Sequence, residues 1–347
     1  MRILLIDTAF LGDLFLATPL IRGAAEIAAG GCIDLLTSPA GQSAVAHHPL
    51  IGETFVLDKR AVDGGTRGFT RAWRWIRTRQ PDVALLPRRS LRSALLARMG
   101  RVPRRIGFGD RAVRLLMTDT VPFDPSLHQV ERNLELLRPL GVDPARSGRA
   151  GHPLEAFAAD EEKHRVKDWL AGRRIDDGFV AVAPGSVWET KRWPVERYAE
   201  LSERLAGEYS IVIVGGRREQ ELAAALREGV DAGRRERVHD ACGLWSPEGT
   251  VALLRHAAVL VSNDSGALHL GQAAALPVVA LYGPTGPVLG YAPRGAAHRI
   301  VGVEGLPCRP CGRHGGRRCP RGHWRCMLDL SVGSVMERVR DATERAA

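Results

Sequence analysis

Four short segments of this 347-residue chain place acids, a lysine, hydroxyls and glycines directly after apolar runs. In the first, Gly12-Asp13 follows the run at residues 2–6 and precedes Thr18-Pro19. A glycine allows a sharp backbone turn there, and a carboxylate at the carboxyl end of a strand can take a proton as a general base. The alternative is an aspartate that only caps the next helix. In the second segment, Ala183-Pro184-Gly185-Ser186 runs into Lys191-Arg192-Trp193-Pro194. Backbone N–H groups and the Ser186 hydroxyl can nest phosphate oxygens, and Lys191 can reach in as a point charge. The third is Ser262-Asn263-Asp264-Ser265-Gly266-Ala267-Leu268-His269, where unpaired N–H groups at a helix start attract anions. The fourth is Tyr282-Gly283-Pro284-Thr285. Glu219, after Gly215-Gly216, can accept hydrogen bonds from ribose hydroxyls, as acids do in nucleotide folds. A Gly-x-Gly-x-x-Gly fingerprint and a Gly-Lys-Ser/Thr ending are both missing, which removes the main support for a dinucleotide or P-loop reading.

These segments need strands that end beside one another. Apolar runs at 2–6, 33–37 and 83–86 predict buried parallel strands, with helices over 18–29 and 91–99. A second series begins near Phe179, with strands at 179–183, 211–214, 259–261 and 278–281. Helices are predicted over 195–206, 218–227, 247–256 and 266–275. Alternation of this kind implies an α/β chain with two Rossmann-like, doubly wound domains and a cleft between them. The expected divisions are an acceptor domain over 1–155, a linker helix within 156–177, a donor domain over 178–330 and a terminal helix over 331–347.

Charge is concentrated. Between positions 60 and 114 lie 15 basic and 3 acidic residues, and between 307 and 326 lie 6 arginines and no acid, on a chain of net charge +10. Two basic regions on an otherwise acidic protein point to anionic partners. A nucleic-acid partner is disfavoured, because the aromatic residues form no stacking platform. Residues 66–80 form a basic amphipathic helix, with Phe69, Ala72, Trp73 and Ile76 on one face and Arg67, Arg71 and Arg74 on another. It either packs on its own sheet or touches an anionic membrane peripherally. The N-terminal apolar run is broken by Asp7 and Asp13, so it reads as a strand rather than a signal peptide, and a cytoplasmic location is expected. Cys308, Cys311, Cys319 and Cys326 can hold a structural zinc, with reduced surface cysteines as the alternative.

Taken together, Gly12-Asp13…Thr18-Pro19, Pro184-Gly185-Ser186, Lys191-Arg192-Trp193-Pro194, Asn263-Asp264-Ser265-Gly266…His269 and Gly283-Pro284-Thr285 resemble the heptosyltransferases of glycosyltransferase family 9. Arg105-Ile106-Gly107-Phe108 and the stretch from His128 to Gly141 also look like family segments. The resemblance spans nearly the whole chain and is greatest to heptosyltransferase II. It implies a GT-B fold and metal-independent, inverting transfer of heptose from ADP-L-glycero-β-D-manno-heptose to the lipopolysaccharide inner core. It further implies that Asp13 is the general base and Lys191 the donor-phosphate contact. Gly185, Ser186, Glu219, Asp264, Ser265, Gly266, His269 and Thr285 would bind the donor. The basic N-terminal domain would face the acidic acceptor, with Arg60, Arg88, Arg89 and Arg92 as contacts. A related glycosyltransferase with another donor or acceptor, and a silent nucleotide-sugar binder, are the alternatives.

Overall fold

The computed structural model describes residues 1–58, 65–109, 113–144 and 153–344. The chain divides into two compact units, Met1–Phe157 and Ala158–Ala347. In the first, strands β1 (Ile3–Asp7), β2 (Ile33–Thr37), β3 (Ile51–Val56), β4 (Val83–Leu86), β5 (Arg104–Phe108) and β6 (Asp119–Val121) pair in parallel. Their order is β3-β2-β1-β4-β5-β6. Every residue of β1, β2 and β4 is buried. That is why these segments are mostly apolar, with helices over both faces of the sheet; the buried polar exceptions are Asp7, Asp34 and Thr37.

The second unit repeats the plan with β7 (Phe179–Ala183), β8 (Ile211–Ile213), β9 (Val238–Asp240), β10 (Ala257–Asn263), β11 (Val278–Leu281) and β12 (Arg299–Val301). All neighbours are again parallel, in the order β12-β11-β10-β7-β8-β9. In each sheet the order reverses at one place, between β1 and β4 and between β7 and β10. Loops leaving these strand pairs diverge to opposite faces and leave a crevice over their carboxyl ends. The chemically equipped segments at Asp13, Lys191 and Asp264 all follow strands of these pairs.

Two predicted elements take on more definite roles. The helix expected as a linker, Asp160–Gly172, belongs to the second unit. Its Glu162 accepts the Ser246 N–H at 2.8 Å and the Ser246 hydroxyl at 2.6 Å. The terminal helix Val332–Glu344 is also integral, burying Val335, Val339 and Ala342 in the second core. The basic helix Thr66–Arg79 packs on its own sheet. Ala72 and Ile76 are fully buried, and the Trp73 indole donates to the Met99 carbonyl at 2.7 Å. Only its basic face, with Arg67, Arg71 and Arg74, is exposed. Among the described residues no helix is long and apolar enough to cross a membrane.

Trp193 anchors the helix Val195–Leu205. It is fully buried, stacks edge-on against Tyr198 at 5.0 Å, and donates from its indole to the Leu330 carbonyl at 3.0 Å. Trp193→Ala removes that packing and leaves a cavity, so a loss of about 3–5 kcal/mol is expected. Urea unfolding followed by far-UV circular dichroism checks it; a loss below about 1 kcal/mol would contradict the anchoring role.

Candidate active site

At the reversal point of the first sheet, β1 delivers Asp7 at its last position and the short helix Leu11–Phe15 presents Asp13. Asp13 sits within that helix rather than before it, and its Oδ2 accepts the Phe10 N–H at 3.3 Å. It therefore caps the turn by reaching back, and its other oxygen has a second task. That Oδ1 lies 3.1 Å from Nη1 of Arg88, which enters two residues after β4. The same guanidinium donates from Nε to both oxygens of Asp7, at 3.3 and 3.2 Å, and from Nη2 to the Asp13 carbonyl at 3.2 Å. Asp7 is 1% exposed. Two carboxylates thus converge on one guanidinium, which supplies each with a charge-assisted contact.

At the reversal point of the second sheet, the loop after β7 carries Pro184, Gly185 and Ser186 to a tight turn at Glu189–Lys191. Lys191 Nζ lies 2.6 Å from Asp264 Oδ2, both side chains being 12% exposed. Asp264 Oδ2 also accepts the hydroxyl of buried Thr285 at 2.6 Å. Ser265, not Asp264, occupies the cap position of the helix Gly266–Ala273, so the Asp264 carboxylate is not spent on capping that helix. Fully buried Asn263 joins the two loops: it donates to the Pro184 carbonyl at 2.8 Å and accepts the Trp193 N–H at 3.0 Å. Nearby, burial and then the charge of Asp264 push the Tyr282 hydroxyl well above its ordinary range. That hydroxyl is buried and has no hydrogen-bond partner among the described residues, the condition a bound polar ligand relieves.

Glu219 reaches the same loop from the turn after β8. Its carboxylate accepts the Gly216 N–H at 2.8 Å, and its stem lies over Gly185. A Cβ on Gly185 would sit 2.4 Å from Glu219 Cγ, so the close approach requires glycine. His269 is buried one turn into the following helix, 3.1 Å from the Gln272 amide. The second unit thus brings together Gly185, Ser186, Glu219, Lys191, Asp264, Ser265 and Thr285 around the carboxyl ends of β7 and β10.

A family model for glycosyltransferase family 9 (heptosyltransferase) matches residues 69–319. The chain belongs to this family. Lipooligosaccharide heptosyltransferase 2 of Haemophilus influenzae is 24% identical to it, over 98% of this chain and 99% of that protein. The crystal structure of a family 9 glycosyltransferase from Veillonella parvula superposes with a TM-score of 0.86 at 22% identity, covering 99% of this chain and 97% of that one. Escherichia coli ADP-heptose lipopolysaccharide heptosyltransferase II superposes at 0.77 and 21%, covering 99% of both chains. These likenesses give the fold as GT-B, and the chain is a glycosyltransferase.

The remaining expected positions of this glycosyltransferase separate. Arg60 lies outside the described residues. Arg88 is engaged with Asp7 and Asp13, so its charge is already committed within the protein. Arg89 is exposed, with its guanidinium 4.3 Å over the Phe123 ring, and half-buried Arg92 lies 5.9 Å from Phe69 while donating to the Gly65 carbonyl. Other arginines of the basic run are structural: Arg79 pairs with Asp34 at 2.9 Å and Arg104 with Asp119 at 2.9 Å.

The four cysteines of the C-terminal segment are free thiols. Cys311, Cys319 and Cys326 line a cavity of about 300 Å³ beside Trp188 and Trp324. Burial opposes ionisation of Cys319, but backbone N–H groups of Trp324, Arg321, His323 and Gly322 hold it below the ordinary thiol range. Burial pushes Cys326 up to about 11. Among the described residues no three His, Cys, Asp or Glu side chains are arranged to hold a metal ion. The Cys311 thiol donates to the Cys308 carbonyl at 2.9 Å, and Cys308 Sγ lies 3.7 Å from His323 Nε2. What the segment does supply is support. Gly316 exchanges two hydrogen bonds with the Thr190 hydroxyl, Cys311 donates its N–H to Pro284, and Arg309 donates to the carbonyls of Tyr282 and Thr285. Asn263 and Tyr282 lie inside segments the sequence singled out, whereas nothing in the local sequence marks Arg309, whose role depends on a loop 24 residues away.

Gly185→Ala should strain the Glu219 contact and destabilise the protein by about 1–3 kcal/mol. Adding Glu219→Ala should recover most of that loss, because all three nearest atoms to the added Cβ belong to Glu219. Thermal unfolding of the two single variants and the double variant checks it; losses that simply add would show the glycine is needed for another reason.

Proposed function

We propose that this glycosyltransferase moves heptose from ADP-L-glycero-β-D-manno-heptose to the inner core of lipopolysaccharide by one inverting displacement. The observation that carries this reading is the Lys191–Asp264–Thr285 cluster, which sets a cation beside a helix start at the reversal point of a nucleotide-type sheet. The Haemophilus influenzae relative is a lipooligosaccharide heptosyltransferase, and the Escherichia coli structural neighbour is an ADP-heptose enzyme; both names support the donor and acceptor class.

In this mechanism an acceptor hydroxyl attacks the anomeric carbon from the face opposite the diphosphate. Asp13 accepts the hydroxyl proton as the new bond forms, a contribution of about 10²–10⁴-fold. The bond from the anomeric carbon to the diphosphate oxygen breaks with its electron pair, so negative charge grows on ADP. Lys191 is the counter-charge: the incoming diphosphate competes with Asp264 for the ammonium, which frees the Asp264 carboxylate to accept sugar hydroxyls. The N–H groups at Gly185, Ser186 and Gly266 add fixed dipoles that gain most as charge develops. Glu219 takes the ribose hydroxyls, and His269 borders the donor sugar. Because the counter-charge is an ammonium, transfer proceeds without a divalent ion. Arg89 and Arg60 contribute on the acceptor side, and the exposed face bearing Arg67, Arg71 and Arg74 supplies peripheral attraction to an anionic membrane.

Incubation with ADP-heptose and a series of truncated lipopolysaccharide cores, followed by ADP release and product mass, tests the whole reading. Turnover with one core names the step, whereas turnover only with a different nucleotide sugar would replace the donor. Asp13→Ala is expected to lower kcat by about 10²-fold or more while ADP affinity stays near wild type. Full turnover by that variant would remove Asp13 from the mechanism. Lys191→Ala should lower both kcat and donor affinity, and EDTA should leave wild-type rates unchanged; a rate abolished by EDTA and restored by Mg²⁺ would place the counter-charge on a metal instead.

A further inference from the structure

We infer that Arg88 is a positioning residue for the base rather than an acceptor contact, and that buried Asp7 is the anchor that holds Arg88 in place. This rests on the assignment of Asp13 as general base. The geometry runs inward from Asp13 in two steps. Asp13 Oδ1 is 3.1 Å from Arg88 Nη1, and Arg88 Nε bridges both oxygens of Asp7. Asp7 is itself held: its Oδ1 accepts the Ala9 N–H at 3.1 Å, and its carbonyl accepts the Thr37 hydroxyl at 2.7 Å. At 1% exposure it is out of reach of a substrate, and its ionic contact is with the guanidinium that reaches Asp13.

This arrangement answers two needs of a base. It must be ionised before the acceptor arrives, and its accepting lone pair must point one way. The guanidinium fork fixes Asp13 from the Oδ1 side while also gripping its carbonyl, and the Phe10 N–H fixes Oδ2. A planar fork holding two carboxylates at once is a task for arginine and not lysine, whose ammonium is a point charge. An arginine reserved for an acceptor phosphate would present its donors to solvent, whereas Arg88 places them on Asp7 and Asp13.

The test separates kcat from KM in Arg88→Ala, Arg88→Lys and Asp7→Asn, with ADP-heptose and the accepted core as substrates. Positioning predicts that Arg88→Ala loses about 10²-fold in kcat, with an acceptor KM within about threefold of wild type. Added guanidinium ion should restore part of the rate in Arg88→Ala and none in Asp13→Ala. Asp7→Asn, which keeps the shape and removes the anchoring charge, should lower kcat by about tenfold with acceptor KM unchanged. An acceptor KM raised about tenfold or more with kcat intact in Arg88→Ala would overturn the inference and return Arg88 to acceptor binding, as would wild-type kinetics in Asp7→Asn. If Arg88→Ala does not fold, Arg88→Lys and Asp7→Asn carry the same comparison. Failure of the base assignment is distinguishable, because Asp13→Ala would then turn over normally; an inactive Asp13→Ala with unaffected Arg88 and Asp7 variants sinks only the positioning role.

Discussion

The handedness of a parallel crossover constrains everything else in this protein. Right-twisted strands joined by right-handed crossovers send successive helices to one face, and growth of the sheet in the other direction sends the next helices to the opposite face. Where the direction changes, two neighbouring loops part and leave the carboxyl ends of two strands uncovered. Both units reverse at the equivalent place, between their first and fourth strands. The backbone therefore provides two sites of the same kind, and the side chains make them different: one gathers Asp7, Asp13 and Arg88, the other Lys191, Asp264 and Thr285.

Charge pairing at these points is reciprocal. In the first unit one guanidinium, that of Arg88, serves the carboxylates of both Asp7 and Asp13. In the second unit one carboxylate serves an ammonium and a hydroxyl, a combination that a diphosphate can enter by exchange. Partly buried groups such as these would be costly if left alone, so each site is prepared by its own counter-charges before any ligand arrives. The supporting contacts lie further out. Asn263 joins the loops after β7 and β10, and the segment carrying Arg309, Cys311 and Gly316 braces the turns of Lys191 and Thr285 from the outside.

The basic run between positions 60 and 114 shows how composition and role can part. As a sum of charges it points to an anionic partner. In the fold, Arg79 and Arg104 balance Asp34 and Asp119, Arg105 donates to the Leu116 carbonyl at 2.7 Å, and Arg88 serves the site. What remains for an external anion is a smaller set, including Arg89 and the exposed face of the helix Thr66–Arg79.

Local sequence announced the inner strands, because a strand buried on both faces is mostly apolar and four or five such residues make a recognisable run. β2, β4, β7 and β11 stand at the predicted positions and β1, β8 and β10 differ only at their ends, whereas β3, β5, β6, β9 and β12 have no counterpart among the predicted strands, because they are only partly buried and carry polar residues. Sequence also nominated Lys191, Asp264 and Thr285, since their neighbours form compact motifs after strands. Tertiary structure alone decided the pairings. Arg88 reads like any other arginine in a basic run until β4 lies beside β1 and carries it to Asp13, 75 residues away in the chain. The reason is physical: a strand's register is written in its own side chains, whereas the partner of a charge depends on which strands become neighbours.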